Sequence, residues 1–140
     1  MRKFRPAVLL ILPVIILSCY SCGDSPEFAD YTIEGTVTNN NSQPVKDIRV
    51  IREATDFLLF SDTIYTDDQG KYNFAFTDYY NSKASFRIKV EDVDLTLNGG
   101  EFATQSVKVS FSDASWSFSK TATEHTAKGT KTYNVKLQLK

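Results

Sequence analysis

The sequence predicts an all-β domain, and three features indicate this class. Apolar and polar residues alternate with a period of two in several segments, as in strands that bury one face. Turn-forming residues separate these segments, for example at 39–43 and 67–70. No part of the chain after residue 30 shows a convincing helical period. We therefore expect a single antiparallel β-sandwich of about seven strands with Greek-key connections over residues 31–140.

The alternation also predicts which side chains of each strand face inward. Residues 58–65 have strand composition too, but their inward face cannot be assigned. The Ser/Thr-rich segment 112–130 is expected to be an ordered excursion over one end of the sandwich, anchored by Trp116 and Phe118. The expected inward sets are Tyr31/Ile33/Gly35/Val37, Ile48/Val50, Tyr72/Phe74/Phe76, Phe86/Ile88/Val90, Val107/Val109/Phe111 and Tyr133/Val135/Leu137/Leu139.

The first 18 residues have the pattern of a lipoprotein signal peptide. The basic segment MRKFR precedes the apolar run 7–17, which as a helix extends only about 16 Å and is too short to cross a bilayer core. The following Ile-Leu-Ser-Cys, ending at Cys19, resembles the bacterial lipobox, whose cysteine sulfur receives a diacylglycerol. We expect residues 1–18 to be the signal peptide, Cys19 to carry the lipid, and residues 19–30 to form a tether. The protein is then expected in the cell envelope, on the outer membrane.

Cys22 is the alternative lipidation site, although the three residues before it lack the aliphatic residue of the pattern. An exported chain could also form a disulfide between Cys19 and Cys22, but only if neither cysteine carried lipid.

The charge balance argues against a nucleic-acid partner. The chain has 16 basic and 17 acidic residues, and three of the basic residues lie in the signal segment. The remaining domain is therefore acidic, without the basic stripe that nucleic-acid binding requires.

The residue inventory contains no recognisable catalytic motif. His125, the single histidine, lies in a polar segment that is expected to be a solvated loop. The abundant serines lack a GxSxG or SxxK context and a strong partner for His125. The sequence therefore predicts a protein that is not an enzyme, with no cofactor and no metal centre.

The densest group of oxygen ligands comprises Asp92, Asp94 and Asn98, which could bind calcium. The spacing does not match an EF-hand, and the alternative is a strand end and a Gly-Gly turn with its acidic residues facing water. In the segment Asp62–Ile64, Thr63 fits a short O-glycosylation pattern. The pair Tyr79 and Tyr80 is expected in a turn, either as an exposed contact patch or as a lid on a strand end.

Two segments resemble carboxypeptidase regulatory-like domains, which are small transthyretin-like β-sandwiches of exported Bacteroidetes proteins. They are Gly35–Val37 with Pro44–Val50, and Thr66–Tyr72.

A larger part of the chain resembles lipoproteins of Bacteroidetes that are encoded beside a radical SAM enzyme. The matching residues are the lipobox cysteine, Ala29–Tyr31, the first of the two segments above, and 90–94 with 98–104. Leu95 departs from that pattern, in which glycine is expected. The resemblance implies a lipoprotein of unknown activity, paired with a radical SAM enzyme.

Three functions are therefore expected from the sequence. The first is a membrane-anchored binding or structural module with a protein or glycan ligand. The second is a substrate that the radical SAM enzyme modifies. The third is a surface domain that binds calcium or carbohydrate.

Overall fold

The computed structural model describes residues 25–53, 61–97, 99–121 and 125–140, which form nine β-strands and no helix. The all-β prediction is therefore confirmed, with more strands than the seven expected. These residues include no helix that is long and apolar enough to cross a membrane. The strands are β1 (Phe28–Thr38), β2 (Arg49–Arg52), β3 (Asp62–Tyr65), β4 (Lys71–Tyr79), β5 (Ser85–Glu91), β6 (Gln105–Ser110), β7 (Ser115–Lys120), β8 (His125–Thr132) and β9 (Val135–Lys136).

The first sheet is built around β1. Its order is β4-β1-β8-β7, and the short β9 continues the pairing with β1 beyond β8. The β1–β4 and β7–β8 pairs are antiparallel, but β8 and β9 both run parallel to β1. The expectation of a purely antiparallel fold was therefore wrong for this sheet, since the chain returns to β1 in the same direction through the β7–β8 hairpin.

The second sheet has the order β3-β2-β5-β6 and is antiparallel throughout. Its inward side chains are those that the alternation predicts. Ile48, Val50, Phe86, Ile88 and Val90 are all at least 97% buried. Such complete burial of β-branched and aromatic side chains is the main stabilising contribution of the fold.

The two sheets face each other across one shared core. The ring of Tyr31 in the first sheet lies 5.2 Å from that of Phe86 in the second, and Phe76 lies 4.9 Å from Phe86. The predicted inward sets fill this core, except that Leu139 is exposed and Gly35, Phe76, Val107 and Tyr133 are only partly buried.

The segment 112–130 contains the β7–β8 hairpin of the first sheet, so the predicted excursion was wrong. The signal of β8 is weak because its inward residues, Ala127 and Gly129, are small. A Cβ atom on Gly129 would lie 2.8 Å from the ring of Trp116, so the indole takes the volume that a side chain would otherwise fill. Trp116 does anchor the segment, as expected, since it packs against Tyr31.

The two ends of the domain differ. We call the end where β1 begins and β4 finishes the proximal end; it includes Phe28, Tyr79 and, on β7, Phe118. The opposite, distal end comprises the turns at 39–43 and 67–70 and the loop after β5.

Candidate functional site

A groove of about 680 Å³ lies near the distal end and is lined by residues of both sheets, from β3 of the second sheet and from β1, β4 and the β8–β9 segment of the first. Residues from four separate parts of the chain form it, and a volume of this size is within the range of small-ligand sites. The groove is lined by Glu34, Gly35, Thr36, Ile64, Tyr65, Asp67, Lys71, Tyr72, Asn73, Thr132 and Asn134.

One side of the groove carries an exposed aromatic ring. Tyr65, the last residue of β3, is 55% exposed, although its neighbour Ile64 packs against the core. An exposed tyrosine beside a concave surface offers an apolar face together with a hydroxyl group. It can therefore stack on a ligand and also form a hydrogen bond with it.

The base of the groove is held rigidly. The buried Tyr72 hydroxyl donates a hydrogen bond to the carbonyl oxygen of Tyr133 at 2.5 Å. Burial raises the pKa of Tyr72 above its ordinary value, so the hydroxyl stays a donor at physiological pH. Gly35 makes this contact possible, because a Cβ atom there would lie 1.8 Å from the same carbonyl oxygen.

Backbone groups orient several polar side chains of the groove. The Asn134 side-chain oxygen accepts a hydrogen bond from the Thr36 N–H at 2.9 Å, so its amide nitrogen points the other way as a donor. The carboxylate of Asp67 accepts the N–H groups of Gln69 and Lys71 at 2.9 and 2.8 Å. Asn73, on β4, is exposed and also lines the groove. The groove thus combines fixed donors and acceptors with one aromatic ring.

The acidic cluster is arranged to close a loop. Asp92 accepts the N–H groups of Asp94 and Leu95, both at 3.3 Å, and of Phe102 at 3.0 Å. Leu95 has φ of +62°, a conformation that favours glycine, so the glycine that the resemblance leads us to expect here would fit this backbone without the strain that leucine carries. The two carboxyl groups lie together, whereas Asn98 lies outside the described residues.

The pKa values of the two carboxyl groups are pushed apart. Burial acts to raise the pKa of Asp92, but the N–H of Phe102 and the hydrogen bond to the Asp94 side chain bring it below its ordinary value. Burial, that same hydrogen bond and the charge of Asp92 raise the pKa of Asp94. The Asp92 oxygens are already occupied by backbone N–H groups, and the described ranges contain no group of three or more His, Cys, Asp or Glu that could hold a metal ion.

The two tyrosines at the end of β4, Tyr79 and Tyr80, lie in different environments. Tyr79 is 57% exposed, and its ring stacks on that of Phe28 at 4.9 Å. Tyr80 is partly buried, with its ring 5.2 Å from that of Trp116 and 5.9 Å from that of Phe118. Of the two alternatives from the sequence, Tyr79 fits the contact patch and Tyr80 fits the lid.

The other residues singled out in the sequence occupy separate places. Thr63 is exposed on β3, where its hydroxyl is accessible for modification. His125 begins β8 and is partly buried rather than solvated in a loop; its Nδ1 atom has no hydrogen-bond partner among the residues described. Cys19 and Cys22 lie outside the described residues.

Sequence reasoning missed a buried charge. Arg52 is only 3% exposed, its guanidinium group is paired with Asp62, and it lies 4.4 Å from the centre of the Phe76 ring. A charged residue in an alternating strand is normally assigned to the outer face, but Arg52 has the same parity as Val50 and therefore points inward. That parity was the only signal that could have revealed it.

No known family profile matches the chain, and no curated protein sequence matches it at a significant level. Solved structures do resemble the fold. Catechol 1,2-dioxygenase from Acinetobacter sp. ADP1 matches with a TM-score of 0.53 at 12% identity, over 84% of this chain and 55% of that chain. The catechol 1,2-dioxygenase from Acinetobacter radioresistens matches with a TM-score of 0.55 at 14% identity, over 81% of this chain and 53% of that chain.

A third structure extends the same likeness. The 3-chlorocatechol 1,2-dioxygenase from Rhodococcus opacus 1CP matches with a TM-score of 0.52 at 10% identity, over 82% of this chain and 62% of that chain. This chain therefore spans a little over half the length of the structures that it resembles. At these identities the likeness shows the fold alone.

These neighbours correct one sequence-based prediction. The prediction that the protein is not an enzyme was wrong, since the fold is one that catechol 1,2-dioxygenases use. It rested on short catalytic motifs, and such motifs do not detect residues that strands bring together from distant parts of a chain.

Proposed function

We propose that the chain is a lipid-anchored protein of the cell envelope whose β-domain binds a glycan in the groove beside Tyr65. The observation that carries the binding site is the exposed Tyr65 ring in one groove with the Asn134 amide and the Asp67 carboxylate, both of which backbone N–H groups orient. A sugar presents C–H faces that can stack on an aromatic ring and hydroxyl groups that pair with amide and carboxylate side chains. The groove offers both kinds of contact on one rigid surface.

Rigidity favours binding because a site that is already ordered loses little conformational entropy when a ligand arrives. Tyr72 and Asn134 are each tied to the backbone of a different segment, and the two bonds connect β4, β1 and the β8–β9 link. The groove is therefore expected to keep its shape with and without a ligand.

Isothermal titration calorimetry against a panel of neutral oligosaccharides tests the site. Tyr65→Ala is expected to weaken the binding of the best oligosaccharide at least about tenfold, the usual effect of losing an aromatic contact of roughly 1.4 kcal/mol or more. Tyr79→Ala is the matched control, because Tyr79 is equally exposed but lies at the proximal end. An equal loss in both variants, or no binding by any oligosaccharide, would contradict the proposed site.

The lipid anchor rests on the sequence of residues 14–22. Two or three acyl chains, each methylene contributing about 0.8 kcal/mol, would hold the protein at a membrane without a spanning helix. Intact-protein and peptide mass spectrometry of the protein from its native membrane tests this. We expect acyl chains on Cys19; an unmodified chain that begins at Met1 would overturn the anchor.

The same spectra test two further predictions. A hexose-type mass on the peptide with Thr63 would support O-glycosylation, for which the exposed position of Thr63 on β3 is favourable. A fixed, unexplained mass change elsewhere would favour the second candidate function, a substrate of the radical SAM enzyme. The pairing with that enzyme rests on the sequence resemblance alone.

We also propose that the two sheets form a transthyretin-like Greek-key sandwich. The facing rings of Tyr31 and Phe86 and the core shared by both sheets support the sandwich. A crystal structure that shows the connections through residues 54–60 and 122–124 tests the Greek-key part.

A further inference from the structure

We infer that the proximal end of the domain docks on the surface of a lipid bilayer through exposed aromatic side chains. This inference rests on the proposed lipid anchor and adds a second, non-covalent contact with the same membrane. It concerns the end of the molecule opposite to the groove, so the two surfaces can act at the same time.

The position of the anchor brings the proximal end close to the membrane. Cys19 lies nine residues before Phe28, where β1 begins. Nine residues span at most about 32 Å when fully extended. The tether therefore enters the domain at the proximal end and limits how far that end can move from the bilayer.

The proximal end exposes three large aromatic side chains. Phe28 is 46%, Tyr79 57% and Phe118 56% exposed. Phe28 pairs with Tyr79 across β1 and β4 on the outer face of the first sheet, whereas Phe118 pairs with the inward Ala127 at the level of Ala29 and flanks the same end from the inner face. Aromatic rings are enriched at membrane–water interfaces, where their apolar faces meet the acyl chains and their polar edges meet the headgroups.

Charge makes a smaller contribution to this contact. Lys83 and Lys120 are exposed near the proximal end, but Glu27 is exposed there as well. A surface with both signs of charge gains little from anionic lipids. We therefore expect docking on zwitterionic phosphatidylcholine, with the aromatic side chains as the main contact.

The distal end provides the comparison within the same molecule. Apart from Tyr65 in the groove, the large exposed apolar side chains of that end are aliphatic, for example Leu97 on the loop after β5, which is 83% exposed. This loop is at the far end of the strands from the tether. A change at Leu97 is therefore expected to leave membrane docking unaffected.

The single tryptophan of the chain is a built-in probe for the test. Trp116 lies 6.3 Å from Phe118 and 5.2 Å from Tyr80, measured between ring centres. The full-length lipidated protein is reconstituted into phosphatidylcholine vesicles, with and without brominated acyl chains. Bromine quenches indole fluorescence only at short range, so docking predicts a loss of Trp116 emission in the brominated vesicles.

Variants identify the residues responsible. In Phe28→Ser/Tyr79→Ser we expect the quenching to fall about twofold or more, because the apolar contact with the interface is removed. Leu97→Ser is expected to keep the quenching of the natural protein. Thermal unfolding of each variant checks that the fold is intact, which we expect because all three changed side chains face solvent.

Each outcome decides the inference. Lipidated protein without Trp116 quenching would overturn the docking and leave the proposed function standing, since mass spectrometry of the same sample reports the acyl chains separately. A sample without acyl chains would overturn the anchor and, with it, the docking. Protection of Trp116 that depends on protein concentration and not on vesicles would identify a second copy as the occupant of this surface and would also overturn the inference.

Discussion

At the proximal end the two sheets are held together mainly by packed aromatic rings, one of which, Tyr31, also hydrogen-bonds to the backbone of Tyr79 and Asn81. At the distal end the loops are held by hydrogen bonds from small polar side chains to the backbone. The ring of Phe111 lies 5.0 Å from that of Tyr31 and 5.7 Å from that of Phe86. At the distal end, the buried Thr66 hydroxyl donates to the Val45 carbonyl at 2.8 Å and accepts the Ile48 N–H at 3.0 Å.

This difference shows how one small core can support two kinds of surface. Packed rings gain free energy from buried area and tolerate small changes of direction. Hydrogen bonds to the backbone gain less free energy, but they fix the position of each loop. The proximal end is therefore suited to contact with a broad apolar surface, and the distal end to a groove of defined shape.

The largest effect is expected from removing a ring at the proximal end. Phe111 is completely buried, so Phe111→Ala should lower the free energy of unfolding by about 3–5 kcal/mol through lost contacts and a residual cavity. Urea denaturation measures this loss. Phe118→Ala removes the same side chain from an exposed position and should cost far less; equal costs would mean that packing does not close this end.

At the distal end, a substitution that keeps the side-chain volume but removes the hydroxyl group tests the hydrogen bonds. Thr66→Val leaves the buried Ile48 N–H without its partner, so we expect a loss of about 1–3 kcal/mol in the free energy of unfolding. Thr63→Val changes an exposed residue of β3, the strand just before Thr66, and should change the free energy of unfolding little. If both variants denature at the same urea concentration, the hydrogen bonds of Thr66 do not hold this end.

A gain in stability is expected at Leu95. Its positive φ costs a non-glycine residue roughly 1 kcal/mol or more, whereas glycine pays about 0.5–1 kcal/mol of extra backbone entropy. Leu95→Gly should therefore raise the free energy of unfolding by up to about 1 kcal/mol. Leu97→Gly is the control: it relieves no positive φ, so it should slightly lower the free energy of unfolding. If both variants have a lower free energy of unfolding than the natural protein, the loop is not strained at Leu95.

The smallest effect concerns the charges at the end of β5. Hydrogen bonds from Lys89 and then Arg49 lower the pKa of Glu91 below its ordinary value of 4.5. Because the folded-state pKa is the lower one, these pairs stabilise the fold above pH 4.5, and the contribution is lost as pH falls through the folded-state value.

Glu91→Gln should consequently be less stable than the natural protein at pH 7, and the difference should shrink in urea melts below pH 4.5. Glu27→Gln, a change at an exposed proximal residue, serves as the control. A difference that does not vary with pH would assign the effect of Glu91 to packing instead of charge.

Much of the core could be predicted from the sequence because its strands alternate strictly. The inward sets on β1, β2 and β5 follow from period two alone, and Tyr31, Ile88 and Val90 are buried as expected. Strand β8 could not be predicted in the same way, because its inward position 129 is a glycine and the Trp116 ring fills the volume that an apolar side chain would occupy. Arg52 was missed because its burial depends on Asp62 and Phe76, which belong to other strands.

The candidate site was less predictable than the core. Tyr65 and Asn134 are 69 positions apart in the sequence and line one groove only because the turn after β3 leads directly into β4, while β1 lies between β4 and the β8–β9 segment. By contrast, the acidic cluster at Asp92 and Asp94 was visible because its residues are adjacent. Its hydrogen bonds to the backbone, which assign it to loop closure, depend on Phe102 and are not visible in the sequence.

The parallel pairing of β1 with β8 and β9 has a consequence for the order of folding. Residues 29–38, near the start of the domain, have partners between residues 127 and 136 along one whole side. Contacts between such distant segments carry a large loop-closure cost and slow the folding of a chain. The first sheet therefore cannot be completed during synthesis before nearly the whole chain has emerged, so its first long strand remains open on one side until the last strands arrive.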